Sequence, residues 1–317
     1  MQMHETDVLV IGGGPAGLGA AHALRQLGVG RVTLVERLDQ TGGVPRHCAH
    51  SPFGMREFGR LMGGRRYSRL LTQRAQEGGV DIRLRHSVVG FSAGRASVAT
   101  PDGPLEIGAR AILLATGIRE QSRAARLLPG QRPMGILTTG ALQDMVHLKG
   151  LLPFRRPVIV GSELVTLSAI LTCRGAGIRP VAMLESEVRP RVGHPWALFP
   201  HLVGLPVHYG AEIVDMFGSA RVEAVQVRQR DGEVRTIACD GLLLTGRFTP
   251  EAALARLSGV GLDAMTGGPV VDDTWRTDME GVFAAGNVLR AVRTAGHCWS
   301  EGRQAARSIA MALGVGP

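Results

Sequence analysis

The chain has 317 residues, 44% of them hydrophobic, which is enough for two cored domains. Its net charge of +9 comes from Arg scattered singly or in pairs, with Lys149 the only lysine, and aromatics make up only 4%; together these exclude a dedicated nucleic-acid face, though a basic surface can still meet an acidic partner or anionic substrate. No apolar stretch reaches the roughly 18 residues of a membrane span, MQMHETDVLV has no signal-peptide pattern, and the four cysteines lack C-x-x-C spacing, so a cytoplasmic chain without a disulfide framework or metal site is expected.

The first elements are the most informative. Val8 to Ile11 reads as a short buried strand. Gly12, Gly14 and Gly17 follow in G-x-G-x-x-G spacing, and Ala16 to Leu27 has helical apolar spacing that ends at Gly28. A second strand, Arg31 to Val35, ends in Glu36, the position of a ribose-binding carboxylate. Such a helix start offers backbone N–H groups and a positive dipole end to a pyrophosphate. With all five features in register a dinucleotide site is expected, although the motif does not separate FAD from NAD.

Further along, Gly42-Gly43 precede a loop carrying Arg46, His47, Cys48 and His50. AILLATG, Ala111 to Gly117, is an apolar strand ending in Thr-Gly. Pro157 to Gly161, Leu164 to Arg174 and Pro180 to Glu185 repeat the strand–helix–strand unit. The second fingerprint is degraded: Gly161 is present, Glu163 stands at the second glycine and Thr166 at the third. A carboxylate there opposes an anionic pyrophosphate; the alternative is a Glu163 turned outward with the cofactor still bound. The histidines at 194, 201 and 208 are spaced too widely and interrupted by prolines, so they do not read as a metal site. TDMEGVFAAGN, Thr277 to Asn287, is another strand, and TAGHCWSEGRQAARSIAMAL a closing helix.

The fingerprint, the ATG strand and the VFAAGN strand together resemble the flavoprotein disulfide reductase superfamily in its short, thioredoxin-reductase-like form, over almost the whole chain. The resemblance implies an α/β fold of two dinucleotide-binding domains, the second inserted into the first: FAD-domain segments at 1–121 and 247–317, and an NAD(P)-domain-like insert at 122–246. It implies FAD contacts at Gly12, Gly14, Pro15, Ala16, Gly17, Glu36, Arg37, Gly42, Gly43, Val89, Ala115, Thr116, Gly117, Gly286, Asn287, Thr294 and Ala295. Asn287 replaces the family's Asp on the flavin ribityl chain and can still hydrogen-bond a hydroxyl. NAD(P) binding is left in doubt by Glu163.

GGVPRHCAHSPFG, Gly42 to Gly54, and PMGILTTGALQ, Pro133 to Gln143, look like a narrower group, which includes the FAD subunits of opine oxidases, hydroxyproline dehydrogenases and hydrogen cyanide synthase. That implies a partner in the form of a second flavoprotein subunit, an amine or imino acid substrate, and an iron–sulfur centre supplied by a further subunit. Stand-alone NAD(P)H-dependent flavin or disulfide reduction, and a non-catalytic flavin scaffold, remain as alternatives. Candidate chemistry near the flavin falls to Cys48 as a lone thiolate with His47 as base, and to His297 as proton shuttle. The opposing reading is a buried, unreactive Cys48 and ordinary histidines.

Overall fold

A computed structural model describes residues 2–315. Its contacts divide the chain into unit 1, Met1–Arg46, Ser51–Arg119 and Phe248–Pro317, and unit 2, His47–His50 and Glu120–Arg247. In chain order the first stretch gives β1 (Gln2–Ile11), α1 (Pro15–Gln26), β2 (Val32–Glu36), α2 (Met55–Phe58), α3 (Gly64–Glu77), β3 (Asp81–Leu84), β4 (Ser87–Ser92), β5 (Arg95–Thr100), β6 (Gly103–Leu114) and β7 (Ile118–Glu120). Next come β8 (Ile136–Thr138), α4 (Thr139–Gln143), β9 (Pro157–Val160), α5 (Leu164–Gly175), β10 (Ala182–Glu185), α6 (Phe199–Leu202), β11 (Val207–Tyr209), β12 (Glu212–Phe217), β13 (Ala224–Arg228), β14 (Val234–Ala238) and β15 (Gly241–Leu244). The chain closes with β16 (Phe248–Pro250), α7 (Ala253–Leu257), β17 (Val282–Ala284) and α8 (Ala295–Ala312).

Unit 1 is built on a sheet in the order β3-β2-β1-β6-β5-β4, with β17 also paired to β6. The pairings β1–β2, β2–β3, β1–β6 and β6–β17 are parallel, while β4–β5 and β5–β6 are antiparallel. The period of two in β1 explains its burial on both faces. Val8 and Val10 join one core with Leu24, Leu71 and Ile309, from the helices; Leu9 and Ile11 join the opposite core with Val98, Ile107 and Val260. Each such side chain, fully buried, contributes about 1.5–3 kcal/mol.

Helices α1 and α8 meet through small residues. A Cβ on Gly302 would lie 2.1 Å from the Ala16 carbonyl oxygen, and one on Gly19 would lie 2.8 Å from the Trp299 ring. Alanine is excluded from both positions, so the backbones themselves approach. This fixes the direction of the α1 N-terminus.

Unit 2 carries a parallel sheet in the order β11-β10-β9-β15-β8 and a separate antiparallel sheet β12-β13-β14. Val158 and Ile159 face opposite cores. The α/β class, with a mixed, mostly parallel sheet in unit 1 and a parallel sheet in unit 2, is the one the sequence implies. After His194 the chain forms a helical turn at Trp196–Leu198 and then α6, which carries His201, before His208 enters β11. Among the described residues no helix is long and apolar enough to cross a membrane, and no cluster of His, Cys, Asp and Glu could hold a metal ion.

Candidate functional site

The turn between β1 and α1 is shaped by its glycines. Gly12 has φ of +111°, and a Cβ there would lie 2.4 Å from the Ala115 carbonyl oxygen. A Cβ on Gly17 would lie 1.9 Å from the Gly12 carbonyl oxygen, so α1 rests directly on the turn. Gly14 differs: the nearest atom to its Cβ position is Gly43 Cα at 4.0 Å. Gly43, with φ of +59°, presents a bare backbone to Gly14 from the other side. Gly42 donates to the Gly13 carbonyl at 2.6 Å and could not carry a Cβ, which would meet Ser68 at 2.5 Å.

Helix α1 begins with Pro15, has no acidic residue in its first turn and no side-chain cap on Gly14. Its free N-terminal end therefore suits an anion. Beside it Glu36, almost wholly buried, accepts from Gly13 N at 2.9 Å and Leu38 N at 3.0 Å. An uncovered glycine backbone, an uncapped helix start and a carboxylate fixed by two amides fit a dinucleotide such as FAD.

Other expected contact residues also lie in unit 1. Ala115 donates to Ile11 O, and the Thr116 hydroxyl donates to Glu251 O at 2.7 Å; Gly117 has φ of +78°. Arg37 is exposed where β2 ends, and Val89 is exposed where β4 bulges against β5. Gly286 donates to the Glu301 carboxylate, and a Cβ on it would lie 2.7 Å from that of Ala16. The Asn287 amide is already engaged: Nδ2 donates to Arg293 O at 3.0 Å, and Oδ1 accepts from Arg293 N at 2.7 Å. One hydrogen and one lone pair remain for a ribityl hydroxyl.

Thr294 caps α8 by accepting from His297 N, with Ala295 the first helical residue. Arg56 Nη2 lies 3.2 Å from His297 Nε2, and His297 Nδ1 lies 2.8 Å from Thr294 Oγ1. Because guanidinium only donates, Nε2 must accept; the ring is then the neutral Nδ1–H tautomer, donating to Thr294. Sequence reasoning missed Arg56, and also Glu57, whose buried carboxylate accepts from Tyr67 OH at 2.6 Å. The alternation of MREF gave no signal for an inward Glu57.

His47 and Cys48 belong to unit 2. Cys48 is buried and donates to Gln143 Oε1 at 3.7 Å. Burial, with the negative charge of Glu120 behind it, pushes the thiol up to about 12, which favours the buried, unreactive reading of Cys48 over the thiolate. Glu120 accepts from Gly140 N at 2.7 Å, and burial raises its own pKa. The site therefore holds a thiol rather than a thiolate, and the pairing of Cys48 with His47 as nucleophile and base is not supported.

In unit 2 the β9–α5 turn repeats the first with different chemistry. Gly161 has φ of +118°, and Glu163 is the N-cap of α5. The Glu163 carboxylate turns inward: Oε2 accepts from Thr245 Oγ1 at 3.3 Å, and a Cβ on Gly246 would lie 2.2 Å from its carboxyl carbon. Glu185 ends β10 as Glu36 ends β2, and accepts from Ser162 Oγ at 2.5 Å and Glu187 N at 3.0 Å. A cavity of about 230 Å³ opens beside these groups.

An uncovered glycine turn beside a strand-ending carboxylate in unit 1, with the same strand–turn–helix plan repeated on the parallel sheet of unit 2, defines a two-domain dinucleotide-binding flavoprotein. Residues 6–302 match the family model described as pyridine nucleotide-disulphide oxidoreductase, and the chain belongs to this family. FAD is its cofactor, and it is an FAD-dependent oxidoreductase. The chain is 31% identical over 297 residues to the ferredoxin reductase component of chlorobenzene dioxygenase from Cupriavidus sp. (strain PS12), covering 89% of this chain and 67% of that protein. It is 25% identical over 312 residues to one of the subunits of opine oxidase from Agrobacterium tumefaciens (strain Ach5), covering 89% of this chain and 61% of that protein. The chain thus spans about three-fifths to two-thirds of the length of these relatives. The crystal structure of T. acidophilum thioredoxin reductase has a TM-score of 0.79 at 21% identity, covering 98% of this chain and 99% of that one, and shares the fold.

Proposed function

We propose that this chain is the FAD-holding, electron-transferring subunit of a hetero-oligomeric dehydrogenase that oxidises an amine or imino acid of the opine or hydroxyproline kind. The observation that carries this reading is the state of the cysteines. All four are free and buried. Burial raises Cys48 and Cys173 to about 12, and Cys239 and Cys298 to about 11. Disulfide reduction needs a thiolate that attacks a disulfide sulfur, and none of these thiols is ionised near neutrality. The flavin's electrons must then pass to or from something other than a protein thiol. One relative is named as part of an oxidase and another as a reductase component, and both names support a role within an assembly. The charge of +9 favours an acidic partner, either a second flavoprotein subunit or an iron–sulfur subunit that receives the electrons.

In this reading FAD lies along Gly12, Gly14, Gly17, Glu36 and Gly42-Gly43, and His297 is a proton donor or acceptor beside it. The test is to purify the tagged chain with its associated subunits and add imino acids and opines without oxygen. The visible flavin band should bleach with the complex and not with the isolated chain. Bleaching of the isolated chain by NADH or NADPH would refute the reading, and a flavin that neither substrate nor partner reduces would mark a scaffold.

A further inference from the structure

We infer that Glu163 is a specificity-determining residue that excludes NAD(P)H from unit 2, by filling with its own carboxylate the turn a dinucleotide would need. The family pairs FAD with a pyridine nucleotide, and the residues of unit 2 do not fit that second group. In unit 1 the second glycine of the turn has nothing within 4 Å of its Cβ position except Gly43 Cα at 4.0 Å. In unit 2 the same position is Glu163, and its carboxylate lies over the ends of β9 and β15. A Cβ on Gly161 would lie 2.6 Å from Glu163 Oε2, and one on Gly246 would lie 2.5 Å from either carboxylate oxygen. The close-approach glycine is thus replaced by a side chain whose anion lies against the turn and the neighbouring strand end.

A second observation concerns the strand-ending acid. In unit 1, Glu36 accepts from two backbone amides, Gly13 N and Leu38 N. In unit 2 the segment after β10 folds back over the turn: Arg191 N donates to Ser162 Oγ at 2.9 Å, and Val192 N to Ser162 O at 3.2 Å. The Arg191 guanidinium then reaches Glu185 at 3.4 Å, Glu187 at 3.3 Å and Glu163 at 3.9 Å. Glu185, 2% exposed, accepts from Ser162, Ser186 and Glu187 and is paired with the Arg191 guanidinium at 3.4 Å, one more donor and one more charge than the two amides that hold Glu36. Both anchor points of a dinucleotide, the glycine turn and the carboxylate, are thus overlaid by charged side chains of the protein itself, Glu163 on the turn and Arg191 on the acid. The inference rests on unit 2 alone and stands whichever substrate the assembly oxidises.

The test is a calorimetric titration of the FAD-loaded chain with NADH and with NADPH. The wild-type chain should show no saturation up to about 1 mM, the weak end of ordinary ligand binding. Glu163→Gly restores the turn glycine and should tighten NADH binding by about tenfold or more, the least expected from removing one like charge at close range. Should that variant fail to fold, Glu163→Ser supplies a short side chain favoured at a helix N-cap and is held to the same criterion. Saturable binding by the wild-type chain would overturn the inference, and so would a folded, FAD-retaining variant that gains nothing.

Discussion

Gly14 and Gly17 lie in one fingerprint, yet an added methyl should act at them in different ways. At Gly14 φ is −79°, and the nearest atom to the new Cβ is 4.0 Å away, so alanine fits the empty fold without strain. As the N-cap of α1, this glycine-to-alanine change costs at most about 1 kcal/mol. The methyl instead stands on the face from which the pyrophosphate approaches. A hydrogen bond to a charged group is worth about 1.5–3 kcal/mol, so losing two costs about 3–6 kcal/mol, or roughly 10² to 10⁴ in FAD affinity. At Gly17 the methyl would lie 1.9 Å from the Gly12 carbonyl oxygen, so α1 must move by more than 1 Å to accept it. That overpacking costs about 1–3 kcal/mol, of which a better helix former returns about 1. Gly14→Ala should therefore purify without FAD yet unfold at nearly the wild-type apoprotein temperature. Gly17→Ala should lower the melting temperature of the apoprotein itself. The assays are visible absorbance per protein and thermal unfolding after FAD removal. Stoichiometric FAD in Gly14→Ala would refute the placement of the pyrophosphate.

Three further outcomes are expected. With its pKa near 12, Cys48 is ionised in roughly one molecule in 10⁴ at pH 8, so its alkylation rate, read by mass spectrometry, should climb with pH without levelling below pH 10, and Cys48→Ser should retain turnover. A plateau near neutrality would contradict this. Tyr67→Phe removes the 2.6 Å hydrogen bond to the buried Glu57 carboxylate, at about 1.5–3 kcal/mol, and should lower the melting temperature by about 3–10 °C; no change would mean that water replaces the hydroxyl. Asn287→Asp keeps the acceptor for Arg293 N but sets a carboxylate against the Arg293 carbonyl, so limited proteolysis between 288 and 293 should quicken, and unchanged cleavage would show that the amide does not hold this loop.

The parallel cores were legible because buried strands and helices carry their period in the sequence: Val8 and Val10 against Leu9 and Ile11 separate onto two faces as alternation requires. The first fingerprint was legible because five features coincide in register. Cys48 was not, since its pKa depends on burial and on Glu120, which lies far along the chain. The antiparallel strands were hidden as well; β14 has exposed residues at four of its five positions and shows no alternation. Glu57 and Tyr67 pair only because α2 and α3 pack in one core, and neither residue type advertises burial. The inward turn of Glu163 could be posed as a question from sequence, but its answer depended on Thr245 and Gly246, at the end of a strand far from it in sequence.

Comparison of the two turns shows how few changes separate a nucleotide cradle from a filled one. Glu36 and Glu185 end corresponding strands, and each accepts the backbone N–H two residues on, from Leu38 and from Glu187. The second acceptor oxygen meets a backbone amide in one unit, Gly13, and a side-chain hydroxyl in the other, Ser162. That hydroxyl is also what Arg191 N bonds, so one serine both occupies the acid and anchors the segment that brings the guanidinium over it. Glu163 completes the arrangement. A carboxylate about 4 Å from a phosphate charge repels it by about 4 kcal/mol at an effective dielectric of about 20, close to a thousandfold in affinity, before any steric overlap. The fold of unit 2 loses nothing by this, because α5 still starts where it should and β9 still pairs with β10 and β15. On the inference above, a dinucleotide-binding architecture persists as packing and as surface while its turn carries an anion of the protein itself, and Ser162, Glu163 and Arg191 are the residues that hold it there.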